Sequence, residues 1–138
     1  MKTIAIFILI CIFFLFYRKE NFSKCDPFLE TTKLIDTLEV EVELLNLVKL
    51  PINHPPLDYL NKKRLIDKTQ FKSSIIFKIN DCSTRFNEVI SANSDRSREI
   101  LNSDYPQKAI IKCVVFKDQG IPNLSKEGYF ISVIDVRK

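Results

Sequence analysis

The feature that constrains this chain most is an unbroken apolar run at its N-terminus. Residues Ile4 to Tyr17, IAIFILICIFFLFY, lie between Lys2 and the pair Arg18-Lys19. Such a run cannot share the surface of a water-soluble core, so it divides the chain before any fold is considered. As a helix it is about 21 Å long, against a hydrocarbon core of about 30 Å. Length alone favours the apolar region of a signal peptide. The flank favours an uncleaved anchor. Cleavage wants small residues at −3 and −1, and FYRKENFSKC offers only Ser23 with Asn21 before it. A buried core helix is the third reading. The expected organisation is residues 1–17 as hydrophobic anchor or signal segment, 18–32 as linker, and 33–138 as a small α/β domain. The protein is then expected to be membrane-anchored through residues 4–17. Its domain is expected on the extracytoplasmic side, periplasmic or extracellular.

Composition removes several functions. The chain has 138 residues, enough for one domain. Two glycines exclude the Gly-rich phosphate loops, which need several within one turn. One histidine excludes a His-rich metal site. No cofactor and no metal are expected. The net charge of +4, from 21 basic and 17 acidic residues, is too balanced for a dedicated nucleic-acid binder, and no nucleic-acid partner is expected.

Patterning divides the domain. Leu38 to Leu44 alternates apolar and acidic residues, a strand pattern, although Leu34, Leu38, Val42 and Leu45 also fit a helical stripe. Pro51 and His54-Pro55-Pro56 predict a break, and Asn61 to Arg64 a turn. Ser74 to Ile79 predicts a short strand. Phe86, Val89 and Ile90 give a helical face to residues 83–103. Ala109 to Phe116 is almost continuously apolar, which suits a central strand covered on both faces. Tyr129 to Val136 predicts a final strand. Strand, helix and strand over 75–116 predict a βαβ unit, and α+β is the alternative class.

Cys82 is the sharpest chemical candidate. At the start of a helix, unpaired N–H groups and the helix dipole would stabilise its thiolate. Arg85, three residues on, would add a cation to the same face. The alternative is a buried structural cysteine. Cys113, mid-strand, is expected in the core. Cys25 is expected on the linker, able to pair between chains. With Cys82 these make three thiols outside the anchor, so one intrachain pair is the most that can form.

The segment IIFKINDCSTRFNEV, Ile75 to Val89, resembles the active-site strand, turn and helix of thioredoxin-like thiol-disulfide oxidoreductases of bacterial envelopes. Cys82 matches the nucleophilic cysteine, and Arg85 stands where the resolving cysteine belongs. Gly120-Ile121-Pro122-Asn123-Leu124 is similar to the cis-proline segment. The resemblance implies a truncated thioredoxin-like domain with one thiol, in a monothiol redox or non-catalytic role. It also implies a protein partner held by mixed disulfide. Two rivals stand beside it: an anchored α+β interaction module without enzymatic activity, and a secreted protein held by one disulfide. A Cys25–Cys82 or Cys82–Cys113 bridge would favour the last.

Overall fold

In the computed structural model, which describes residues 6–13, 24–124 and 128–138, the alternating stretch lies inside one long strand, β1 (Ile35–Lys49). Leu38, Val40, Val42 and Leu44 face one side and Glu39, Glu41 and Glu43 the other, as a period of two requires. Four strands follow: β2 (Ser73–Ile79), β3 (Arg85–Ile90), β4 (Gln107–Phe116) and β5 (Phe130–Arg137). They close into a barrel in the order β1-β2-β3-β5-β4, with β4 pairing back onto β1. Every pairing is antiparallel except β3–β5, which is parallel at Val89–Ser132 and Ile90–Val133. Helices accompany the sheet among the described residues: α1 (6–13), α2 (Pro55–Lys62) in the β1–β2 connection, and α3 (Asp95–Leu101) between β3 and β4. A five-stranded Greek-key barrel of this order has the architecture of the OB fold.

Both ends of the barrel are plugged. Inward side chains such as Leu44, Phe77, Phe86, Ile111 and Val133 form the core. Ile100 and Leu101 of α3 close one end. The buried Ser97 fastens that helix to β5, donating to Asp135 Oδ1 at 2.7 Å and accepting from the Val136 N–H at 3.1 Å. A 3-10 turn, Pro27–Glu30, closes the other end. Its Phe28 is fully buried, edge-on to Phe77 and Phe86 with centroids 6.4 and 5.4 Å away. Lys117 Nζ holds the turn by donating to the carbonyls of Leu29 and Thr31. A second apolar cluster lies outside the barrel, where Leu57 and Leu60 of α2 and Phe71 cover Val89, Phe116 and Phe130.

Helix and strand mix as the α/β class anticipates, but the thioredoxin-like βαβ core is replaced by the barrel. Strands 75–79 and 109–116, expected as adjacent or near neighbours and parallel, do run in the same direction, but β1 stands between them and each pairs antiparallel to it, so no crossover helix joins them as a βαβ unit requires. The helix expected over 83–103 begins instead as β3, and only Asp95–Leu101 is helical. The turn explains this. Asp81 has φ of 64°, and the Cys82 N–H donates to Ile79 O at 3.0 Å, so the chain reverses at once after β2. The apparent helical stripe arises because β3 carries apolar residues on both faces at Phe86, Val89 and Ile90. Phe86 and Ile90 face the barrel, and Val89 is covered from outside by the second cluster. Strand β4 is covered on its outer face only near Val114 and Phe116, and Lys112 is exposed. The cis peptide lies at Tyr105-Pro106 and not at Pro122.

Two further expectations shift. Pro55-Pro56 starts α2, because proline is tolerated in a first helical turn, and His54 Nδ1 caps it by accepting from the Leu57 N–H at 3.4 Å. Residues from Cys25 onward, assigned to the linker, form part of the barrel mouth. Of the expected anchor, residues 6–13 are helical with exposed side chains, while 4, 5 and 14–17 lie outside the described residues. Among the described residues no helix is long and apolar enough to cross a membrane.

Candidate functional site

Cys82 sits in the β2–β3 turn, 8% exposed, and is bonded to Cys25 with a Cα–Cα separation of 5.7 Å. It does not open a helix, so neither orphan N–H groups nor a helix dipole act on it. Arg85 begins β3 on the outer face, in register with Lys78, and its side chain is exposed. The structure therefore does not assemble the expected pair of thiolate and stabilising cation. Cys113 is buried as expected. Its thiol donates to Leu38 O at 3.6 Å, and burial with help from the Glu88 charge pushes its pKa up to about 12.

An ionisable group lies inside the barrel mouth. Glu88 shares the inward face of β3 with Phe86 and Ile90, opposite Ile75. Burial pushes its carboxyl up to about 8; the Ile131 N–H, which hydrogen-bonds the carboxylate, opposes this, and the charge of Asp26 adds to it. Asp26 itself accepts from the Tyr129 hydroxyl at 2.7 Å. Among the described residues no group of three or more His, Cys, Asp or Glu side chains is placed to hold a metal ion.

In OB barrels the usual ligand face is the outside of β2 and β3. Here that face carries Lys78, Arg85 and Asn87, and Lys78 is paired with Glu43 at 2.9 Å. Phe77 and Phe86 turn inward and stack 5.3 Å apart in the core. The face thus offers no ring on which a base could stack.

Two hollows open on the surface beside it. One, of about 530 Å³, lies between the end of β1 and α3 and includes Lys72 and Arg98. Arg98 is paired with Asp95. The other, of about 380 Å³, lies on the outer face of β4 and β5 and is flanked by the β1–β2 connection. Ser91 and Ser132 form part of its lining with Phe71, Phe116 and Ile134. Gln70 and Asn93 line both hollows, and Asn93 Nδ2 donates to Gln70 Oε1 at 3.1 Å on the ridge between them.

Nothing in the sequence alone singles out Ser91, Ser132 or Glu88 for chemistry. The one trace is that Ser132 interrupts the apolar run Phe130 to Val136. Glu88 becomes conspicuous only when residues 85–90 are read as a strand, which sets it between two inward apolar neighbours. No family model, no curated protein and no solved structure matches the chain. The barrel architecture alone does not carry a function, which must come from the site.

Proposed function

We propose that this chain is a binding module without enzymatic activity. It is a disulfide-stapled barrel of an oxidising compartment, carried at a membrane by its N-terminal apolar segment with the domain on the extracytoplasmic side. The observation that carries the stapled, non-enzymatic part of this reading is the Cys25–Cys82 bridge, which the anchored module shares with the secreted one-disulfide rival. The bridge occupies the one thiol the sequence offered for chemistry, and such bonds persist where cellular reductants do not keep thiols reduced. The buried Cys113, its thiol raised to about 12, is a poor nucleophile at neutral pH. Membrane attachment is supported by the continuous apolarity of Ile4 to Tyr17 and the poor cleavage site after it.

Alkylation in denaturant tests this on protein isolated without reductant. Two of the four cysteines, Cys11 and Cys113, should react, and all four should react after reduction. The full chain should stay in the membrane fraction through an alkaline carbonate wash. A mixed disulfide trapped on Cys82, with Cys25 released, would overturn the non-enzymatic reading. A mature N-terminus near residue 24 would remove the anchor and leave a secreted module.

A further inference from the structure

The hollow against β4 and β5 has a floor that the fold does not satisfy. Ser91 and Ser132 are 2% and 1% exposed, and neither hydroxyl has a hydrogen-bond partner among the described residues. They are close neighbours in the sheet. Ser132 is level with Val89, and the Ser91 N–H donates to Val133 O at 2.9 Å. A buried hydroxyl without a partner destabilises the fold that holds it. Here two of them line one hollow.

The walls are apolar. Ile35, Leu65 and Ile134 line the hollow and remain 46%, 43% and 37% exposed. Apart from Leu34, Ile52 and side chains of α1, these are the large apolar side chains that the described residues leave exposed. The volume of about 380 Å³ and the pairing of apolar walls with a few polar atoms match small-molecule sites. Charge narrows the ligand. Among the described residues the charged one in the lining is Asp67, whose Oδ1 already accepts from the N–H and hydroxyl of Thr69. Among the described residues no cation lines the hollow, so an anionic head group would lose its water without gaining a counter-charge there.

We infer that this hollow binds a neutral amphiphile, with its aliphatic body against Phe71, Phe116 and Ile134 and a hydroxyl or carbonyl oxygen paired with Ser91 and Ser132. The inference rests on the reading of the chain as a binding module and adds the class of ligand.

The test uses three probes of equal chain length, octanol, octanoate and octylamine, titrated at neutral pH into the full chain held in lipid nanodiscs. Amide shifts are followed by NMR. Octanol should give saturable shifts centred on Ser91, Ser132 and Phe71. Octanoate should bind at least about tenfold more weakly, as an uncompensated charge predicts. Ser91→Ala and Ser132→Ala should each weaken octanol about fivefold to tenfold while raising the melting temperature, because each removes a ligand partner and an unsatisfied buried group together. A purely structural role would not couple a stability gain to an affinity loss. The inference is overturned by the absence of saturable octanol shifts, by octanoate or octylamine binding as tightly as octanol, or by serine variants that bind octanol unchanged. Thiol counts on the same preparation separate the two readings. Two free thiols with no octanol site would remove the ligand class and leave the module. A mixed disulfide on Cys82 would remove the module whatever octanol does.

Discussion

Glu88 faces the barrel interior between Phe86 and Ile90, and its carboxyl is raised from 4.5 to about 8. Between those values the folded protein keeps a proton that the unfolded chain has released. Folding stability must therefore fall as pH rises through this window, by up to about 1.4 kcal/mol per pH unit, and level off above it. Urea denaturation at about pH 5 and about pH 8 should show the wild type losing stability, while Glu88→Gln should lose none, because burial lowers the pKa of His54 and that group shifts stability in the opposite direction across this interval. Equal slopes in the two proteins would remove Glu88 as the cause. Cys113 offers a second residue-level check. It should resist alkylation in the folded protein at neutral pH and react only on unfolding, because its thiol is both buried and held protonated.

At the scale of elements, the 3-10 turn Pro27–Glu30 is a plug fixed by one covalent bond and one ring. The Cys25–Cys82 bridge closes a loop with a sequence separation of 57, and loss of such a closure costs about 4 kcal/mol on chain-entropy grounds. Cys25→Ala should show that loss in denaturant titration, and reductant should destabilise the wild type but not the variant. Phe28→Ala should cost about 3–5 kcal/mol, since the ring is fully buried against Phe77 and Phe86. The elements were unevenly legible in the sequence. The alternation of Leu38 to Leu44 read as a strand because one face of β1 meets water. Residues 85–90 misled because α2 covers Val89 from outside, which fills in the polar beats that mark a strand. Pro55-Pro56 misled because proline stops a helix only from within it. The bridge was legible as an option, since Cys25, Cys82 and Cys113 allow one intrachain pair. Which two would meet depended on a turn set by Asp81, and no local pattern announces that geometry. The pairing of Ser91 with Ser132 depends on a parallel contact between distant strands, so neither serine stood out alone.

For the whole molecule, closure of the sheet matters most. Closure gives every strand a partner on both sides and leaves little edge open to a second copy, which narrows the usual route to edge-to-edge aggregation. Its seams are unequal. Strands β1 and β4 pair continuously from Ile35 to Leu44, whereas β3 and β5 pair only at Val89 and Ile90. Hydrogen exchange should therefore open the β3–β5 seam first, with amides of β1 and β4 protected longest; uniform protection around the barrel would contradict this. The staple at the mouth also decides how the molecule would answer to tension. Cys25 is close to the N-terminal end of the domain, so a pull between that end and the C-terminus passes through the sulfur bridge directly to Cys82. The loop from Cys25 to Cys82, containing all of β1 and β2, is spared from stretching while the bond holds. In a single-molecule pulling experiment the oxidised domain should lengthen only by the chain beyond Cys82. Reduction should then release a further length of about 200 Å, the reach of the enclosed loop.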